Sequence, residues 1–383
     1  MKKTLASLLL PIAAILMAAV SCAREPLLYL HRDCIINMEL KLTNTDIHTM
    51  WDYEPGYDIL QEWAYGWDSQ DNAIFGPMGY APMDAFQLRR YFLGSNPDAK
   101  HSDVRREFMN GTTFKGSFSF GYYDLLSWNE IQSIDYGQSI RIKESLDSVV
   151  AYTGESLMQN PGYPGTKSDK AYNQPESLFS GYMQGLAVTD NPNDYTWNEE
   201  KHCFEKDIKL ELQPVTYIYL VQFILHNNKE RITLIQGDSN LSAMSRGVCL
   251  NSGVTLDEPV TVNYPARFKK GVKMQKSGET VDIIGGKLTT FGVCGTNPTK
   301  VETKAQLKDS PIRHYLDLNV TFLNGMDSTM VFDVTDIVRE RYKGGVITID
   351  LDVDHIKIPT RPGGSGFDAV VKDPTDENYE III

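Results

Sequence analysis

"YLDLNVTFLNGMDSTMVFDV", residues 315–334, decides the fold class. Leu316, Leu318, Val320 and Phe322 alternate with polar residues, and a period of two places all four on one face of a strand. Asn324-Gly325 supplies the positive φ angles of a tight turn. Met330, Phe332 and Val334 then resume the inward face, so the stretch predicts a β-hairpin.

The same period recurs on both sides of it. "INMELKL" puts Ile36, Met38, Leu40 and Leu42 on one face, and the aromatic "SFSFGYYDLLSW" reads as a strand near a sheet centre. In "VITIDLDVDHIKIP" the apolar phase moves from Ile347, Ile349, Leu351 and Val353 to Ile356 and Ile358, which predicts a bulge near Asp354. One helical signal stands out, "DVTDIVRERYKGG", with Asp333 or Thr335 as cap and Gly344 as stop, enough for about two turns. The expected class is all-β, with two β-sandwich domains in series and a short helix in the second. Residues 154–181 are rich in Gly, Pro, Ser and Asn and lack either periodicity, so they read as a long surface connection. The expected division is a leader over 1–21, an N-terminal domain over 22–165 and a C-terminal domain over 166–383.

In the leader, Lys2 and Lys3 precede an uncharged apolar run that ends in "MAAVSC", residues 17–22. This is the layout of a secretory signal, and the small residues running into a cysteine resemble a bacterial lipobox, with Ala19 where most carry Leu. A plain secretion signal is the alternative. Lipidation at Cys22 would hold the body on a membrane, since each buried methylene contributes about 0.8 kcal/mol. Loss of residues 1–21 leaves 35 basic residues (37 less Lys2 and Lys3) against 50 acidic ones, a net charge of −15. Such a body is repelled by nucleic acid and by anionic lipid, which argues against both as partners.

Residues 55–83, "PGYDILQEWAYGWDSQDNAIFGPMGYAPM", form an aromatic-rich segment read as an elaborated loop of the first domain. Tyr57, Trp63, Tyr65 and Trp67, with Asp68, Gln70 and Asn72 beside them, match the grammar of a glycan-binding platform: flat apolar faces with hydrogen-bonding groups at the rim. The same rings would equally pin a long loop to a sandwich.

Signatures of chemistry are weak. No HExxH occurs among the seven histidines, and GxSxG is missing in its strand-turn-helix setting. "IIGGK" lacks the full phosphate-loop pattern, and "HRDC" (His31, Asp33, Cys34) reads as a strand-entry turn rather than a metal site. Asp350, Asp352 and Asp354 in "DLDVDH" read as a solvated strand face, not a calcium loop. The expectation is therefore no enzyme, no cofactor and no metal. Cys34, Cys203, Cys249 and Cys294 lack CxxC spacing; two disulfides among them allow three connectivities, while "RGVCL" and "FGVCG" read as buried thiols.

The order of these motifs carries a resemblance. The lipobox, "GSFSFGYYDLLSWNE", "QPESLFSG", "LSAMSRGVCLNSG", "GGKLTTFGVCG", the hairpin ending in "VFDVTDIV", "DHIKIP" and "RPGGSGFDAVV" follow one another as they do in a family of Bacteroidales lipoproteins. That family is similar in layout to the fimbrillins and fimbrial anchor proteins of those bacteria. The resemblance covers about residues 22–383 and implies transthyretin-like sandwiches, strand exchange with fimbrial-type subunits, and anchorage to the outer membrane on its periplasmic or outer face. It also implies arginine-specific processing in some members, for which Arg24, Arg32, Arg89 and Arg90 are the basic positions considered. An anchor-like or accessory subunit or adhesin is the expected function, with a glycan-binding surface lipoprotein as the alternative.

Overall fold

The computed structural model describes residues 37–44, 59–131, 140–159, 170–200, 203–298, 300, 303–359 and 369–371. The protein is all-β, built as sandwiches. A first sheet runs in the order Val104–Asn110, Ala85–Gly94, Gly121–Asn129, Phe179–Val188, Cys203–Pro214, Asn37–Asn44, Thr113–Phe114, with Thr196–Asn198 beside Cys203–Pro214. Among the described residues its two halves join through two residue pairs, Phe179 with Pro214 and Ser180 with Gln213. About that narrow joint its two halves close on one core, in which Phe86, Leu88, Leu125 and Phe179 meet Ile208, Leu210 and Leu212. On the outer face, Tyr91, Leu126 and Trp128 pack against Ile140, Val149, Ala151 and Val248 of a three-stranded sheet, Ile140–Glu144, Val149–Thr153 and Gly247–Cys249.

The second sandwich faces a four-stranded sheet, ordered Arg267–Lys273, Thr280–Thr290, Tyr217–His226, Gly345–Asp352, against a larger one. The larger sheet runs Ala369–Val371, Asp327–Asp333, Tyr315–Phe322, Ser239–Ser245, Pro259–Tyr264, Lys170–Asn173, Glu155–Gln159, with Ile232–Ile235 beside Tyr315–Phe322. Between them lie Tyr219, Val221, Phe223, Ile347 and Ile349 on one side and Leu241, Val262, Leu316, Leu318, Val320 and Phe332 on the other.

The expected hairpin is present. Tyr315–Phe322 and Asp327–Asp333 pair antiparallel, and Leu316, Leu318, Val320, Phe322, Met330, Phe332 and Val334 are all buried. Its turn is wider than a two-residue one: Phe322 N donates to Met326 O, and only Gly325 takes a positive φ, 75°. Asn324 instead uses its side chain, accepting from Met326 N at 3.1 Å and donating to Pro359 O at 2.7 Å. "SFSFGYYDLLSW" ends in the strand Gly121–Asn129, third in the first sheet and buried from Tyr123 onward.

Several expectations need correction. Residues 154–181 are not all connection: Glu155–Gln159 and Lys170–Asn173 are strands of the second sandwich, the latter parallel to Thr261–Asn263. Strand pairing also crosses residue 165 both ways, because Phe179–Val188 and Cys203–Pro214 return to the first sheet while Gly247–Cys249 pairs with Val149–Thr153. A cut at 165 therefore does not separate the sheets. The phase change at Asp354 is no bulge; the strand stops at Asp352 and a 3-10 turn spans Val353–His355. The helix Thr335–Glu340 lies where expected, with Asp333 Oδ1 accepting from Thr335 N at 3.0 Å, but three more short α-helices occur among the described residues: Ile59–Glu62, Ser69–Phe75 and Thr303–Lys308. Cys294 is a buried free thiol, pushed up to about 12 by burial, and Cys249 is a free, half-buried one. Cys34 lies outside the described residues.

Candidate functional site

Strand Tyr217–His226, "YIYLVQFILH", is buried along nearly its whole length, so its sheet needs cover on both faces. Ile218, Leu220, Ile224, Ile283 and Val346 look away from the second sandwich's core, and the cover over them is the aromatic segment: Ile59, Trp63 and Tyr65 complete that cluster. Gln222, fully buried on the same face, fastens it. Its Oε1 accepts from Ala64 N (2.8 Å) and Tyr65 N (3.1 Å), and its Nε2 donates to Glu62 O (2.6 Å) and Thr348 Oγ1 (2.8 Å). All four polar valences of the amide are satisfied.

Tyr65 lies flat over the strand opposite. A Cβ built on Gly285 would stand 2.7 Å from the Tyr65 ring, so the first glycine of "IIGGK" makes room for an aromatic ring rather than a phosphate. The Tyr65 hydroxyl donates to Asp71 Oδ1 at 2.8 Å, and the Lys269 ammonium sits 4.0 Å from the ring centroid. Asp71 is fully buried, yet Arg267 and Lys269 each reach it at 2.6 Å. Burial pushes its carboxyl up, but Lys269, the Asp68 amide, Arg267 and Tyr65 together hold it below the usual carboxylate range. Burial and then Asp71 raise the Tyr65 phenol. The local cause is a capping box: Asp68 accepts from Gln70 N and Asp71 N, and Asp71 accepts from Asp68 N at 2.8 Å, which starts the helix Ser69–Phe75.

Farther along, Lys287 donates to Pro77 O at 2.6 Å and Gly79 O at 2.7 Å, and burial lowers it to about 8. Tyr80 donates to Thr216 O at 2.7 Å and meets Phe179 edge-on. Of the four aromatic residues singled out from sequence, Trp63 and Tyr65 are buried, Trp67 is half-buried between Trp63 and Phe75, and Tyr57 lies outside the described residues, as does Cys22. The rim groups stay exposed but are engaged within the protein: Asp68 and Gln70 meet Arg267, and Asn72 Oδ1 accepts from Trp67 Nε1 at 2.9 Å.

A polar cluster that the sequence reading missed stands on the first sheet. Asp124, 3% exposed, accepts from Tyr182 (2.7 Å) and Gly185 N (2.8 Å) and meets His101 Nε2 at 2.7 Å. The other imidazole nitrogen is 2.7 Å from Leu146 O, and the ring stacks on Tyr91. A cavity of about 280 Å³ opens beside His101, Asp124, Tyr182 and Gln184. Burial followed by Asp124 raises the Tyr182 phenol. The "DLDVDH" aspartates are taken by different partners: Asp350 by His226, Asp352 by Asn227 and Asp354 by Lys229 and Arg231. Among the described residues no group of three His, Cys, Asp or Glu is placed to hold a metal ion, and no helix is long and apolar enough to cross a membrane. Arg89 and Arg90 lie buried within a strand, so the bond between them is not an exposed cleavage site.

Among the described residues the sheets end in strands paired on one side. Val104–Asn110 closes one end of the first sheet, and Ala369–Val371 closes one end of the larger second-sandwich sheet by parallel pairing with Met330–Phe332.

No protein-family profile and no curated protein matches the chain. Among solved structures it is similar to a candidate adhesin from Bacteroides ovatus, 16% identical with a TM-score of 0.45 over 87% of this chain and 96% of that one. It is similar also to a candidate adhesin from Bacteroides thetaiotaomicron (12%, TM-score 0.44, 84% and 93% covered). The fimbrial anchor protein Mfa2 from Porphyromonas gingivalis is a third (10%, TM-score 0.38, 83% and 91% covered).

Proposed function

We propose that this chain is a lipid-tethered subunit of a fimbria-like surface assembly, serving as anchor, accessory subunit or adhesin, and that it engages its partners by adding strands at sheet edges. The observation that carries this reading is the edge at Asp327–Asp333. One side of that strand is paired over seven residues with Tyr315–Phe322, whereas the other, among the described residues, is paired with the three residues Ala369–Val371. A three-residue parallel strand contributes few hydrogen bonds, each worth about 1 kcal/mol net, and a longer incoming strand competes with it effectively. The tether is the Cys22 lipid, and the acidic body stays clear of the anionic surface beneath it. This role is one of binding, with no chemical step. A glycan platform on the aromatic segment would rest on Trp67 and Phe75, whose rings are half-exposed.

Cross-linking on intact cells tests it. The full chain captures neighbouring subunits at residues 327–333, a chain ending at residue 366, which lacks the competing strand, stays folded and captures them more strongly, and Cys22→Ala moves the folded protein out of the membrane fraction. Unchanged or weaker cross-links at residues 327–333 in the folded shortened chain would overturn strand pairing at this edge.

A further inference from the structure

Strands Ala85–Gly94 and Val104–Asn110 pair so that Arg89 stands opposite Arg106 and Arg90 opposite Arg105. Like charges directly opposite one another are unfavourable, so each pair needs an anion. On the face toward the three-stranded sheet Glu144 supplies it: its Oε1 accepts from Arg89 Nε at 2.8 Å and from Arg106 Nε at 3.0 Å. The other face is incomplete. Arg90, 5% exposed, lies 4.7 Å from the Phe118 ring centroid, donates to Ser117 O at 2.8 Å and pairs with Glu107, and its Nε is buried without a partner. Arg105 is exposed and, among the described residues, has no carboxylate within ion-pair distance.

A cleft of about 100 Å³ opens where these two arginines meet, and its walls combine three chemistries. Arg105 brings positive charge that Glu107, taken by Arg90, does not balance. Phe92, 38% exposed and 5.0 Å from the Tyr123 ring, brings an apolar face. Ser117, Ser119 and Asp103 line the cleft with two hydroxyls and one carboxylate. Tyr123, 6% exposed, accepts from Ser119 N at 2.8 Å and keeps its own hydroxyl hydrogen to donate.

We propose that this cleft is a subsite for an acidic sugar. The ligand's carboxylate meets Arg105 as a charge-assisted pair, its hydroxyls meet Ser117, Ser119 and the Asp103 carboxylate, and one face of the ring lies on Phe92. A simple anion does not fit this composition, because Asp103 repels a group that offers no hydroxyl donor in return. A neutral sugar leaves Arg105 as it is now, without a counterion. The volume admits the carboxylate end of one residue, with the remainder of a chain running out over the sheet edge.

The probes are D-glucuronate, D-glucose and acetate, titrated against the full chain by saturation-transfer NMR and calorimetry. Glucuronate binds at least tenfold more tightly than either of the others, and its affinity falls as salt is raised. Arg105→Gln, an exposed change that leaves unfolding unaltered, weakens glucuronate at least tenfold, and Phe92→Ala narrows its advantage over acetate. Equal binding of acetate and glucuronate would overturn the sugar assignment, and an affinity indifferent to Arg105→Gln would overturn the site.

Discussion

Replacing Gln222 by Leu tests whether the aromatic segment is held to the sheet by the buried amide. The substitution keeps the side chain's volume roughly constant but orphans Ala64 N, Tyr65 N and Glu62 O together. Each buried unsatisfied group costs roughly 1–3 kcal/mol. Ala64 is only half-buried, so its N–H recovers part of that from water, which places the three-group total in the lower half of the range. The leucine, set among Ile218, Leu220 and Ile224, offsets about 2 kcal/mol by apolar burial. A net loss of about 3 kcal/mol remains, equal to roughly a 100-fold rise in the open population of the segment. Hydrogen exchange followed by mass spectrometry reads it directly: peptides from residues 59–83 exchange faster by about that factor, while peptides from 315–334 keep their protection because the second sandwich's core lies on the other side of the sheet. Unchanged exchange over 59–83 in a folded Gln222→Leu protein would refute the reasoning, since the segment would then be held by something other than this amide.

Two further perturbations separate packing from electrostatics. Gly285→Ala drives a Cβ to within 2.7 Å of the Tyr65 ring and 3.0 Å of Val221 O, an overpacking that costs about 2 kcal/mol in urea unfolding; in a Tyr65→Ala background the same change costs less than half as much, because the obstacle is gone. His314 is 1% exposed, and burial lowers it to about 4, so the native state holds it neutral with Nδ1 facing Ser242 O at 3.2 Å. Its contribution is fully present above about pH 6.5 and is lost as pH falls toward 4, where the unfolded chain binds a proton that the native state refuses; the loss amounts to about 3 kcal/mol. His226, between Glu279 and Asp350, runs the other way, raised by those carboxylates against its burial, and loses its contribution as pH climbs through and above 6.5. Urea midpoints from pH 7 to 4 should therefore fall less steeply in His314→Gln than in the parent, and equal slopes would exclude His314 as the cause.

Strands with one buried face were legible from sequence, because alternation is a property of neighbours along the chain. The hairpin at 315–334 is the clearest instance. Strands of very few residues were not: "KAYN" has four residues, too short to display a period, and so Lys170–Asn173 vanished into an apparent linker although Ala171 and Tyr172 are buried. The helix Ser69–Phe75 did leave a signal. Asp68 and Asp71 stand three apart across its start, an acidic version of the capping box, yet the aromatic residues around them drew attention to their faces rather than to the backbone they start.

The same limit explains why the arginine cleft escaped notice. Arg89-Arg90 and Arg105-Arg106 are two unremarkable basic pairs in the chain, and adjacency suggests a protease site. Only the register, which sets Arg90 against Arg105, makes them a problem of unbalanced charge. Strand alternation then sends the two cross-strand pairs to opposite faces, where one finds Glu144 and the other does not. A tight turn or a cap can be read from a few consecutive residues, whereas a binding subsite of this kind is a sum over two strands and the loop Lys115–Phe120 that closes above them. Its signature is a charge left without a counterpart, and that becomes visible only once the neighbouring carboxylates Glu107 and Glu144 have been given their partners.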